Sequence, residues 1–190
     1  MKATSLSQPP IIAALREATG EAHKALETDI DLFGRVADQD RRRDLVARFH
    51  RLHASVEPAV APYLASLPGL EFAHRRRADG VAQDLADLGG QPLTAKPPTV
   101  GSAAEALGWW YVLEGSSLGG RVIHRTLLGQ GKNLVGLSFL HPYGPDTGDW
   151  WRRFVEVLDA ADRREPEARP DVLAGGVAGF RYAHEVLCGD

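Results

Sequence analysis

Apolar positions recur at helical spacing along most of the chain. Leu15, Ala18, Ala22 and Leu26 fall at i, i+3, i+7 and i+11, one stripe of a first helix that opens near Pro9-Pro10, residues suited to a first turn. Leu45, Phe49, Leu52 and Val56 mark the buried stripe of a second helix, opening at Asp38, which Pro58 and Pro62 are expected to end or kink. A third covers Phe72 to Leu88 and stops at Gly89-Gly90. Leu107, Trp110 or Tyr111, Leu118 and Val122 outline a fourth, started by the capping box Ser102-Ala103-Ala104-Glu105. Glycines and prolines then break the pattern over 129–149, leaving loop with one short helical turn about Leu134–Leu140. A further helix starts near Asp149 and buries Trp151, Phe154, Val155 and Leu158, and the last follows Pro170 and runs to about Leu187. Period-two alternation is absent, so the pattern predicts an all-α, multi-helix fold of about six to eight helices, a single domain over 1–190 with 1–8 flexible.

The composition of the 190 residues, 25% charged and 44% hydrophobic, is that of an ordinary globular domain able to bury a core without staples. A formal net charge of −3 gives no electrostatic case for nucleic acid. The basic runs Arg41-Arg42-Arg43 and Arg75-Arg76-Arg77 read as solvated helix faces. The single cysteine, Cys188, cannot form an internal disulfide and reads as structural or exposed. No run of 18 apolar residues predicts a membrane span, and the N-terminus lacks the apolar core of a signal peptide, so no membrane partner and a cytoplasmic location are expected.

The chemistry concentrates in the first and fourth helices. The fourth carries Gly108, Gly115, Gly119 and Gly120, each costing about 0.5–1 kcal/mol relative to alanine in a helix interior. Either a Gly115-x-x-x-Gly119 face packs closely on another helix, or a flat ligand lies against the bare backbone. On the first helix, Arg16, Thr19, His23 and Glu27 share one flank beside the apolar stripe. Glu27, at i+4 from His23, is in reach of a ring N–H, directly or through water, and would fix the imidazole tautomer, as carboxylates do behind metal-bound histidines. One histidine and one carboxylate are too few to close a metal site, but one ligand is enough if a porphyrin supplies the other four. His50 and His53 lack a mutual i, i+4 spacing and read as surface or capping residues rather than a metal pair. With haem in view, Arg16 and Tyr111 become contacts for the propionates, with Lys132 a further candidate.

Glu21-Ala22-His23-Lys24-Ala25-Leu26-Glu27 and Leu113-Glu114-Gly115-Ser116-Ser117-Leu118-Gly119-Gly120-Arg121-Val122 resemble the bacterial haem oxygenases, in the branch associated with bacterial phytochromes and with iron release from haem. The lead-in Leu15-Arg16-Glu17-Ala18-Thr19 and the run Phe139-Leu140-His141-Pro142-Tyr143-Gly144 extend the likeness over nearly the whole chain. The resemblance implies haem held between a proximal helix and a kinked, Gly-rich distal helix. His23 would be the iron ligand, with Glu27, Arg16, Tyr111, Gly115, Gly119 and Gly120 around the haem. Gly115, Ser116 and Gly119 would form the distal surface over which catalysis occurs. Haem would be both cofactor and substrate, oxidised with O2 and external electrons to biliverdin, carbon monoxide and ferrous iron. A ferredoxin or flavin reductase would donate electrons, and a bacterial phytochrome is an expected acceptor for biliverdin. Ser116 stands where animal-type members carry an aspartate that orders water; the bacterial branch tolerates that change, and the proton route is left unassigned. The competing reading is a non-catalytic haem carrier or sensor on the same fold.

Overall fold

The stripes close on one another in a computed structural model that describes residues 8–94 and 96–189, so the expected flexible start lies outside the described residues except for Gln8. Among the described residues the chain forms eight α-helices and no strand. They are α1 (Ile11–Asp29), α2 (Leu32–Ala37), α3 (Gln39–Leu64), α4 (Phe72–Arg75), α5 (Ala78–Asp87), α6 (Ala103–Gly129), α7 (Thr147–Arg164) and α8 (Arg169–Cys188). Short 3-10 turns at Ser138–Leu140 and Gly144–Asp146 supply the only helical structure in the expected loop before α7.

The glycine-bearing helix, α6, is the centre of the packing, and every residue of Ala106–Glu114 is buried. Half of the expected capping box forms: Ser102 Oγ accepts from the Glu105 N–H at 3.1 Å, while the Glu105 carboxylate reaches one residue further back and accepts from the Gly101 N–H at 2.8 Å. α8 crosses it at backbone contact. A Cβ on Gly108 would stand 2.1 Å from the Val172 carbonyl oxygen, and one on Gly175 would stand 2.2 Å from that of Glu105. Those two glycines allow the close helix packing that is one reading of a Gly115-x-x-x-Gly119 face; the contact lies earlier on α6, at Gly108, and not at Gly115 or Gly119.

Four local expectations are corrected. Of the two outcomes expected at Pro58 and Pro62, a stop does not occur: α3 continues to Leu64, because Val56, Val60 and Leu64, all fully buried, hold its far end in the core. The helix expected over 72–88 is two, interrupted at Arg76, whose backbone is extended. The Glu57 carboxylate on α3 explains the break: it accepts from the N–H groups of Arg77 at 2.6 Å and Ala78 at 3.0 Å and so caps α5 from outside. On α1, Ala18 is exposed and Thr19 takes its place in the buried stripe, its hydroxyl returned to the Leu15 carbonyl at 2.7 Å. On α7, Val157 is buried where Val155 is only half-buried.

The basic runs are not simply solvated. Arg75 is 1% exposed. Arg42 reaches across to the carbonyls of Val36 and Asn133 and ties the start of α3 to the loop after α6.

Candidate functional site

α1, α3, α6, α8 and the segment 139–143 enclose a largely apolar cavity of about 810 Å³, within the range of sites that bury a cofactor-sized ligand. Arg16, His23, Glu27, Tyr111, Gly115, Ser116, Gly119 and Gly120 all line it. Lys132, exposed, does not.

His23 presents a half-exposed imidazole to the cavity, with Phe180 of α8 edge-on to it. Its Nε2 stands 3.6 Å from the Glu27 carboxylate, longer than a hydrogen bond, so the two interact as a solvated pair rather than through a fixed ring N–H bond. Arg16 is exposed on the same helix, and Tyr111 is buried between the rings of Trp151 and Phe180.

The glycines of α6 separate into two kinds. A Cβ on Gly119 would meet nothing within 4 Å, and one on Gly115 would only touch the Trp151 ring at 3.6 Å. These two leave bare backbone at the cavity. Gly120 is different, since a Cβ there would stand 2.4 Å from the Leu140 carbonyl oxygen; its missing side chain admits protein, not ligand. Ser116 is exposed, and its hydroxyl is engaged with the Leu113 carbonyl of its own helix at 2.6 Å.

The cavity also has a polar wall, built around His53 on α3. His53 was expected at the surface, but it is 5% exposed, lines the cavity, and shares its Nδ1 with Glu57 at 3.0 Å. The signal was present as His53-x-x-x-Glu57, a helical i, i+4 pair hidden when only histidine–histidine spacing is considered. Burial is the largest influence on Glu57 and works upward, yet the His53 ring and the two N–H donors outweigh it and hold the carboxyl below its ordinary value. His50, also expected at the surface, is half-buried with its Nδ1 unpartnered, and burial lowers its pKa.

Beside this pair lies a second cluster. Arg75 meets Glu114 at 2.5 Å, and the Tyr143 hydroxyl reaches both Glu114 oxygens at 2.9 and 3.0 Å. The Arg77 guanidinium sits 3.9 Å above the Tyr143 ring, whose other neighbour is Trp150, stacked at 4.9 Å. Burial pushes the Glu114 carboxyl up against the pull of Arg75 and Tyr143, and burial with the Glu114 charge pushes the Tyr143 hydroxyl well above the ordinary phenol range. No sequence motif announces this cluster, because its members come from four separate stretches of chain.

Among the described residues, no three His, Cys, Asp or Glu side chains converge to hold an ion by themselves. What the cavity fits is a flat, largely apolar ligand bringing its own coordination: one accessible imidazole, bare helix backbone with open space at Gly119, and apolar walls. No helix of the described residues is long and apolar enough to cross a membrane.

No protein-family model matches the chain. Similarity to individual proteins is clear. The chain is 35% identical over 153 residues to "Heme oxygenase" of Xanthomonas campestris pv. campestris, covering 80% of this chain and 92% of that protein. It is 34% identical over 159 residues to "Heme oxygenase PigA" of Pseudomonas aeruginosa, covering 80% of this chain and 78% of that one. Its fold is similar to the NO- and CO-bound haem oxygenase of Neisseria meningitidis, with a TM-score of 0.78 and 26% identity over 95% of this chain and 91% of that one. The fold of haem oxygenase 2 from Chlamydomonas reinhardtii is also close, with a TM-score of 0.76 at 17% identity, covering 94% of this chain and 96% of that one.

Proposed function

The chain belongs to the haem oxygenase family, and from that premise we propose how its own residues carry the reaction. It is an enzyme that degrades haem to biliverdin. The observation that carries the detailed reading is one cavity walled by both the accessible His23 imidazole and the unobstructed backbone at Gly119.

Bound haem supplies the redox-active iron and is itself the ring that O2 and external electrons open, leaving biliverdin, carbon monoxide and ferrous iron. His23 binds the iron, and Phe180 limits the tilt of its imidazole. Arg16 and Tyr111 orient the haem through its propionates, the guanidinium suiting a carboxylate by its paired donors. Gly115 and Gly119 would let the backbone of α6 approach bound haem without a side chain in the way. The apolar walls exclude bulk water.

Ser116 cannot act as an acid and its hydroxyl is already engaged. We assign the proton-holding role to His53. The Glu57 carboxylate accepts the Nδ1 proton, which leaves Nε2, with no protein partner among the described residues, able to take up and release a proton at the cavity wall. A ferredoxin or flavin reductase as electron donor, a bacterial phytochrome as biliverdin acceptor and a cytoplasmic location complete the proposal; they rest on the family resemblance alone.

An absorption titration with haemin, followed by reductant in air, tests the reading. A saturable Soret band that decays to a biliverdin spectrum is expected. A Soret band that persists would make the protein a haem carrier or sensor, and no Soret shift at all would remove haem from this cavity.

A further inference from the structure

Where α6 leaves bare backbone at the cavity, at Gly115 and Gly119, it has no side chain of its own with which to set its height. At Gly119 the Cβ direction is empty, and at Gly115 only an ordinary ring contact is available. A helix segment that must hold a fixed clearance over a ligand therefore needs anchors on either side. The structure has two, and both lead to the same short segment. Before the stretch, Glu114 receives the Tyr143 hydroxyl on both carboxylate oxygens. After it, Gly120 lies against the Leu140 carbonyl, so closely that a methyl group would not fit.

We propose that residues 140–143 act as a strap that fixes the distal helix at Glu114 and Gly120, and that Tyr143 and Glu114 are positioning residues which set the clearance over the haem. The inference rests on the haem reading above.

The strap is itself held on both flanks. Tyr143 lies between Trp150 and the Arg77 guanidinium, so its ring is fixed independently of its hydroxyl. Glu114 is 3% exposed and is paired on its other side with Arg75, which also donates to the Trp150 carbonyl. A hydroxyl placed this way has a definite length and direction, and a change there moves the backbone at Gly115, the next residue along. Neither Glu114 nor Tyr143 is asked to exchange protons with the substrate; each acts through the helix it holds. The expected consequence is control of which ring position can be approached, because a loosened distal helix widens the space over the haem.

The test is hydrogen exchange on the haem-free protein, comparing Tyr143→Phe with Tyr182→Phe. Both lose one phenol hydroxyl, but that of Tyr182 bonds to the Lys96 carbonyl, away from the strap. Tyr143→Phe keeps the ring between Trp150 and Arg77, so the fold is retained. Amides of residues 115–122 should exchange roughly ten- to hundredfold faster in Tyr143→Phe, the factor that follows from losing a hydrogen bond to a buried charge. They should be unchanged in Tyr182→Phe. In the haem complex, Tyr143→Phe should shift the CO stretching frequency and broaden the distribution of biliverdin isomers, with Glu114→Gln moving both in the same direction. Exchange at 115–122 no faster than in Tyr182→Phe would overturn the strap. So would acceleration spread evenly over all helices, which would mean a general loss of stability. A wild-type protein that fails to bind haemin would sink the haem reading while leaving the exchange result to stand by itself.

Discussion

Phe180 stands edge-on to the His23 imidazole, with ring centroids 5.3 Å apart and planes at 82°. The contact ties a half-exposed histidine on α1 to a side chain of α8 that is 6% exposed. A side chain so exposed contributes little to folding, which leaves it open for the ligand role proposed above. His23→Ala should change the stability of the haem-free protein by no more than about 0.5 kcal/mol, as for other exposed substitutions. It should also change the spectrum of the haem complex, since it would remove the imidazole proposed to hold the iron, with partial recovery on adding imidazole. An unaltered haem spectrum in His23→Ala would remove this residue from the iron.

Gly119 and Gly120 should respond in opposite ways to the same methyl group. At Gly119 the methyl enters open space and replaces glycine inside a helix, a gain of about 1 kcal/mol that would raise the melting temperature of the haem-free protein by about 2–4 °C. At Gly120 it meets the Leu140 carbonyl, and overpacking of that kind costs about 1–3 kcal/mol. In the presence of haem the order reverses at the first site: Gly119→Leu should keep haem uptake but block oxygen activation. Thermal melts of the two alanine variants and turnover of the leucine variant check the assignment, and normal turnover in Gly119→Leu would refute close approach at that residue.

The elements that were legible in the sequence are those whose signal is local. The α6 cap and the stripe of α3 need only a few consecutive residues, and so does the placing of His23 with Glu27 on one flank of α1, although the two stand too far apart for the ring N–H bond that spacing suggested. What the sequence hid depends on contacts across the fold. Pro58 and Pro62 look like stops until the core holds the helix around them. The break at Arg76 is caused by Glu57, nineteen positions earlier. Arg75 looks solvated in a run of three arginines until Glu114 is brought against it. A carboxylate and its partner in distant stretches leave no periodic trace.

That Arg75–Glu114 pair sets a third prediction. Both side chains are almost wholly buried, so removing one leaves an unpaired charge in the core, which costs about 3–5 kcal/mol. Arg75→Met also strips the Leu70 and Trp150 carbonyls of their donor. The double variant Arg75→Met with Glu114→Gln should lose clearly less than the sum of the two single changes, because neither partner is then left charged and alone. Urea denaturation of the four proteins gives the cycle. Additive losses would show that the pair is not coupled.

Acid should destabilise the protein in two stages. His50 and His141 each bury an Nδ1 that finds no partner among the described residues. Burial, with the neighbouring His53 for His50 and with His124 and Arg121 for His141, holds both below the ordinary 6.5. The folded chain then binds fewer protons than the unfolded chain just below that value, so stability is lost as pH falls from about 6.5 through the folded values. Glu57 acts later. Its folded value lies below the ordinary 4.5, so its contribution is complete above 4.5 and disappears as pH falls through the folded value. Glu114 acts between the two stages: its raised value lets the folded state take up a proton before the unfolded state does, so it adds stability as pH falls toward 4.5 and partly offsets the first decline rather than the second. Urea midpoints measured from pH 8 to pH 4 should decline first from about 6.5, and the double variant His50→Gln with His141→Gln should flatten that first decline while leaving the one below 4.5. A wild-type midpoint constant between pH 7.5 and 5.5 would contradict the burial of these two rings as the cause of acid sensitivity.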